Sequence, residues 1–295
     1  MANLKAIRIR IASVKSTRQI TSAMKMVAAA KLRKAQDRIV MLRPYADKLR
    51  EILSGLAQSL AEIGDDCLYS RKSDPGEVLI VVITSNRGLC GAFNANVIRE
   101  VKRLINEEYP DQYRKGNLSF IAIGKKGHDF LRKLENCDIE EYNHLYNRLG
   151  FESVTKLASA IMADFVSMRY HKVVLVYNQF LNAAVQKLTT EVFLPVEIRE
   201  PEDDRPIISD YIYEPGQNEI VSELIPKSLK LHFYKALLDS VAAEHGARMT
   251  SMHLATDNAT ELIRDLTLQY NKARQASITN QILEVVSGAE ALRNG

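Results

Sequence analysis

The chain has 295 residues, of which 46% are apolar and 26% charged. That is globular composition, and at about 150 residues per domain it suggests about two units. No run of about 18 apolar residues and no apolar leader is present, which predicts a soluble, cytosol-facing protein that neither spans a bilayer nor is exported.

The net charge of +4 is unevenly spread: the first fifty residues carry thirteen Lys or Arg against Asp37 and Asp47, a net +11 that leaves −7 for the rest. Such asymmetry implies an acidic partner. Only Tyr45 lies among these charges, which argues against single-stranded nucleic acid, a ligand usually gripped by stacked aromatics. A solvated basic helix face is the plainer alternative. Cys67, Cys90 and Cys137 lie far apart with no CxxC pair, so the fold is expected to stand without disulfides.

From Ala28 onward, apolar or Ala residues recur at alternating steps of four and three: Leu32, Ala35, Ile39, Leu42, Ala46, Leu49, Leu53, Leu56, Leu60 and Ile63. That 3.5-residue period is a coiled-coil seam. Carried backward it meets Arg18, Thr21 and Lys25 before apolar residues resume at Val14, Ile11, Ile7 and Leu4. The stripe is therefore expected to slip one position there, to Ile20, Met24 and Val27. A bend is expected at Pro44, which lacks an amide hydrogen.

Between the chain's ends the pattern alternates strand and helix. Val78–Thr84, Leu118–Ile123 and Val173–Tyr177 are short β-branched runs, and Ala184–Phe193 is a further strand. Helical patterns lie between them at Asn94–Tyr109, Gly127–Leu134 and Ser153–Tyr170. That order predicts crossovers and a largely parallel sheet. Pro195, Pro201, Pro206 and Pro215 mark an irregular stretch after it.

The C-terminal quarter repeats the seam at Leu231, Tyr234, Leu238, Val241, His245, Arg248, Met252, Ala255, Ala259, Leu262 and Leu266, with Gln269, Ala273, Ala276, Asn280 and Leu283 continuing it. Continuous helices over 4–63 and 229–291 would be about 90 and 95 Å long, and each has a stripe it cannot bury alone. Pairing them solves both problems. The predicted fold is α/β: a long antiparallel two-helix coiled coil formed by the N- and C-terminal segments (1–66 and 216–295), with a central α/β domain (67–215) containing a largely parallel sheet. If the helices leave and return at one end, partner numbers sum to about 275–280. Residues beyond about Ser277 then overhang, presenting Ile278, Ile282, Leu283, Val285, Val286 and Leu292 to an apolar socket elsewhere.

Chemistry is sparse. Ser85-Asn86-Arg87-Gly88-Leu89-Cys90-Gly91 follows a strand and precedes a helix, but it lacks both GxGxxG and Gly-Lys-Ser/Thr, so a structural turn is favoured over an anion cradle. The six histidines form no HExxH pair, and His245 and His253 are expected to pack in the seam. No catalytic, cofactor or metal residues are expected.

Three segments resemble the gamma subunit of bacterial F-type ATP synthase: Ile20-Thr21-Ser22-Ala23-Met24-Lys25-Met26-Val27-Ala28-Ala29 with Lys31-Leu32-Arg33-Lys34-Ala35, Thr84 to Gly91, and Leu266 to Thr279 followed by Glu284 to Ala289. The resemblance covers essentially the whole chain. It implies a non-catalytic rotor shaft of a proton-translocating synthase, with no cofactor, peripheral to the cytoplasmic face of the cell membrane. Its implied partners are the alpha and beta subunits of the head, the epsilon subunit and the membrane c-ring. It implies that Met24 and Lys25 face an acidic loop of the beta subunits, that Arg248, Gln275 and Thr279 serve shaft coupling and contacts inside the head, and that Tyr211, Tyr213 and Glu214 belong to the foot meeting the c-ring. Gly246 departs from the family, where Ala is more usual. The alternative from another class is a basic coiled-coil adaptor for nucleic acid or an anionic membrane surface.

Overall fold

The computed structural model describes residues 4–55, 68–69, 71, 76–134, 137–147, 149–196 and 217–293. They form two compact units: one joins the residues up to Ala28 with those from Met249 onward, and the other runs from Ala29 to Arg248.

The second unit is built on a five-stranded sheet. Strands β1 (Val78–Ile83), β2 (Leu118–Ile123), β3 (Ile139–Glu141), β4 (Lys172–Phe180) and β5 (Gln186–Leu194) stand in the order β3-β2-β1-β4-β5. The β1–β2, β1–β4 and β2–β3 pairs are parallel and only the β4–β5 hairpin is antiparallel, as the alternating pattern predicts. All six residues of β1 are fully buried, because a central parallel strand is covered on both faces and needs no polar alternation. Val78, Ile80 and Val82 pack under α2 (Phe93–Arg103) and the π-helical turn Leu104–Glu108. Leu79, Val81 and Ile83 pack under α6 (Phe151–Val166), beside Phe233, Ala236 and Leu237 of the last helix, α7 (Gln217–Arg293). Among the described residues the unit also has three short helices: α3 (Pro110–Lys115), α4 (Lys125–Leu131) and α5 (Asn143–Asn147). The edge strand β3 escapes a search for β-branched runs because two of its three residues are glutamates, a composition that blunts a sheet edge.

Helix α1 (Leu4–Gly55) continues through Pro44. Ile39 and Leu42 of α1 pack against the same core as Leu229, Phe233 and Leu237 of α7, which is almost entirely buried from Leu229 to Arg248. That burial takes in polar side chains as well, Asp239, Ser240, Glu244 and Arg248 among them, while His232 stays exposed.

In the first unit the two chain ends pair as an antiparallel couple. The Thr256 hydroxyl donates to Thr21 Oγ1 at 2.8 Å, and Arg8 Nη2 donates to the Tyr270 hydroxyl at 3.0 Å with its guanidinium 5.8 Å from the ring centre. Both pairs obey the sum that equal rise requires. The expected slip is absent. Thr21 is buried and Arg18 and Lys25 are half-buried, whereas Ile20 and Val27 are 59% and 57% exposed. The seam holds its register because Thr21 meets a hydroxyl rather than an apolar partner, and the methylene stems of Arg18 and Lys25 cover apolar surface while their charged ends stay in water. Along α7 the seam passes through Met252, Thr256, Ala259, Ile263, Leu266, Tyr270, Ala273 and Ser277, keeping the four-three alternation. Leu262, Gln269 and Ala276 are exposed instead. His253 is likewise exposed, with Nδ1 3.2 Å from Asp257, rather than packed.

Candidate functional site

The expected interaction residues of the first unit lie at different levels of the helical pair. Met24 and Lys25 are half-buried on α1, while Gln275 and Thr279 are exposed on α7, all in the first unit. From Ile278 to Glu290 every residue is exposed, and so is Leu292, including Ile282 and Leu283 at 57% each and Val285 at 72%. An end with that apolar content and no cover among the described residues is a surface for something else. Tyr211, Tyr213 and Glu214 lie outside the described residues.

Arg248 is placed differently. It is 8% exposed in the second unit, where Nη1 pairs with Glu244 one turn earlier and Nη2 donates to the backbone carbonyls of Arg87 at 3.0 Å and Gly88 at 3.2 Å. The guanidinium fork thus ties the Thr84–Gly91 loop to α7. Further hydrogen bonds hold the loop internally and to α2 and α4. Asn94 Oδ1 accepts from the Ser85 amide at 3.0 Å, the Ser85 hydroxyl donates to Arg87 O at 2.6 Å, and Asn86 Oδ1 accepts from the Lys125 amide at 2.9 Å. Gly124 is required beside it: φ is +114°, and a Cβ there would lie 2.1 Å from the Thr84 carbonyl. Two loop carbonyls converge on a cation, so the loop acts as a structural turn, the favoured sequence reading. Cys90 is buried against Phe93, Ala243 and Ala247, and burial raises its thiol pKa, the opposite of a reactive thiolate.

Gly246 has a local reason. A Cβ on it would meet Ala183 O at 3.2 Å and Ala183 Cα at 3.3 Å, so the β4–β5 turn approaches the helix where the side chain is missing. Close packing of the turn explains the residue.

Two titratable groups on α7, Asp239 and His245, have pKa values well away from their ordinary ones. Burial pushes the Asp239 carboxyl up to about 6, although Lys235 opposes this, and Glu191 nearby adds to it. Burial pushes His245 down to about 4, with Arg248 and Lys31 adding repulsion, so its imidazole is neutral at physiological pH. Glu191 is raised by burial, but the His232 hydrogen bond at 2.8 Å and the His232 charge outweigh this and leave it below the usual carboxylate value. Among the described residues no group of three or more His, Cys, Asp or Glu is arranged to hold a metal, and no helix is long and apolar enough to cross a membrane.

Sequence reasoning missed the Arg248 node as a tie between loop and helix. The signal was present as Glu244 and Arg248 at a spacing of four, but nothing in the spacing tells a buried pair from a surface one.

Residues 3–292 match the ATP synthase family model. The chain is 54% identical over 293 residues to the ATP synthase gamma chain of Flavobacterium johnsoniae, covering 99% of both proteins. It is 49% identical over 296 residues to the gamma chain of Cytophaga hutchinsonii, covering all of both. Among solved structures, a chain of the Tetrahymena thermophila mitochondrial ATP synthase central stalk and c-ring assembly is 27% identical, with a TM-score of 0.55 over 80% of this chain and 99% of that one. A chain from the Euglena gracilis mitochondrial ATP synthase has a TM-score of 0.70 over 99% and 95%, and at 23% identity it supports the fold. With the paired terminal helices, the mostly parallel sheet and relatives matched from end to end, the chain belongs to the ATP synthase gamma-chain family and is a central-stalk subunit of that complex.

Proposed function

We propose that this stalk subunit is a non-catalytic rotor that couples proton-driven rotation to ATP synthesis or hydrolysis in a head of alpha and beta subunits, at the cytoplasmic face of the cell membrane. The observation that carries this reading is the antiparallel pair with its exposed apolar end: a shaft needs stiffness along its length and a surface that only a surrounding bore can cover. Met24 and Lys25 face an acidic loop of the beta subunits, Arg248, Gln275 and Thr279 serve shaft coupling and contacts inside the head, and Tyr211, Tyr213 and Glu214 meet the c-ring beside the epsilon subunit. The divisions 1–66, 67–215 and 216–295 then correspond to shaft, middle domain and shaft.

An asymmetric rod touches three catalytic neighbours in three different ways. Each orientation favours a different nucleotide-site conformation only through that difference in contact, so rotation becomes the coupling coordinate. The basic N-terminal segment draws in acidic loops at long range. Exposed ion pairs contribute only about 0–1 kcal/mol each, so shape and packing carry most of the torque. The adaptor alternative finds no support in end-to-end membership of a stalk-subunit family.

Co-purification tests the reading. Gentle isolation of the tagged chain from its own cells is expected to retain nucleotide-binding alpha and beta subunits, with negligible ATPase activity in the chain alone. Recovery of nucleic acid in place of those subunits would contradict it.

A further inference from the structure

Within the second unit, α1, the end of β4 and α7 enclose a cleft of about 590 Å³. Its lining is largely apolar: Ile39 and Leu42 of α1 and Phe180 of β4 are half-buried there, and Val40 and Leu181 are exposed beside them. Into the same space comes Asp239 of α7, a carboxyl only 6% exposed. Apolar walls around one deep polar group, at this volume, are the make-up of a small-molecule site.

The carboxyl is short of partners. Among the described residues Asp239 accepts no hydrogen bond, and the charges that act on it are those of Lys235, Glu191 and His232. His232 is engaged elsewhere, with Nε2 2.8 Å from Glu191, which also accepts from the Tyr177 hydroxyl. Lys235, one turn before Asp239 on α7, acts on both carboxyls and forms an ion pair with neither. On the facing helix Arg43 and Asp47 line the cleft, both exposed, and bring equal and opposite charge. Two buried carboxyls therefore share one ammonium, and the one without a hydrogen bond is the one that lines the cleft. A carboxylate taken out of water without a counter-ion is costly, and a ligand ammonium supplies both the charge and the donors it lacks.

We infer that this cleft binds a small organic amine with an apolar body, its ammonium on Asp239 and its hydrocarbon against Ile39, Leu42 and Phe180. A charge-assisted hydrogen bond fixes the head of such a ligand, and burial of the body adds to its hold. A bare divalent cation fits less well, since it needs several oxygen ligands and no group of three acidic or imidazole side chains is gathered among the described residues.

The test is equilibrium titration of the full-length chain at about pH 8, where Asp239, with its pKa of about 6, and an alkylamine are both ionised. The probes are phenethylamine, phenethyl alcohol, phenylacetate and methylamine. Saturable binding of phenethylamine is expected, about tenfold or more tighter than that of the alcohol, with none of phenylacetate or of methylamine, which has the head without the body. Asp239→Asn removes the charge while relieving its burial, so the variant is expected to fold, to bring phenethylamine down to the level of the alcohol and to leave the alcohol unchanged. Arg43→Gln, which removes a competing cation from an exposed position, is expected to strengthen phenethylamine. An equal loss of phenethylamine in the control Asp111→Asn, an exposed carboxylate outside the cleft, would overturn the inference in favour of diffuse charge. So would amine and alcohol binding alike in the parent, methylamine matching phenethylamine, phenylacetate binding more tightly than the amine, or absence of saturable amine binding.

Discussion

Replacing Arg248 by alanine is expected to destabilise the protein by about 3–5 kcal/mol, because it strands the buried Glu244 carboxylate and removes the donor shared by the Arg87 and Gly88 carbonyls. At this chain length a loss of that size lowers a thermal midpoint by roughly 10 °C. Lysine is expected to recover little, since a single ammonium cannot serve a carboxylate and two carbonyls in the geometry of a planar fork. The double variant Arg248→Met/Glu244→Gln, which removes both charges, is expected to be markedly more stable than Arg248→Ala alone. Thermal denaturation of the three variants checks this, and a midpoint for Arg248→Ala within 2–3 °C of the parent would show that the tie carries no weight.

The second large effect concerns acid. Asp239 has a folded pKa of about 6 against an ordinary value of 3.8, so the folded state keeps a proton that the unfolded state gives up between those values. Stability therefore falls as pH rises from about 4 to about 6, and above that range the ionised, buried carboxylate costs about 3 kcal/mol. His245 works in the other direction. Its folded pKa of about 4 lies below the ordinary 6.5, so the unfolded state binds the extra proton and stability falls as pH drops through the same window. In the parent the two slopes oppose each other. Asp239→Asn is expected to stabilise the protein at pH 7 by about 1–3 kcal/mol and to expose the acid sensitivity due to His245. His245→Gln is expected to give a chain whose stability, relative to the parent, rises as the pH is lowered from 6.5 to 4. Denaturant unfolding across pH 4–8 reads both differences, and parallel profiles for Asp239→Asn and the parent would contradict the assignment.

The sheet was legible because its central strands are buried on both faces, which continuous β-branched runs such as Val78–Ile83 suit. The antiparallel direction of the helices and their pairing sum followed from chain connection and equal rise, and Thr21 with Thr256 bears them out. What failed was ranking seam positions by apolarity. Ile20 and Val27 looked like better knobs than Thr21 and Lys25, yet the seam kept its period and left the larger apolar side chains outside. A rod that works inside a ring has reason to carry apolar residues on its outer surface, and single-chain patterning assumes that apolar means inward. The same assumption misplaced Leu262 and Ala276 on α7. Charge was harder still, since nothing in the composition tells a buried Glu244–Arg248 pair from the exposed Lys227–Glu223 pair at the same spacing.

Rotation observed directly is the sharpest test of the shaft account. With the complex fixed through its head and a probe attached to this chain at an introduced Lys133→Cys, addition of ATP is expected to drive continuous rotation of the probe in one direction. A probe that stays still while the same complexes hydrolyse ATP would contradict the account.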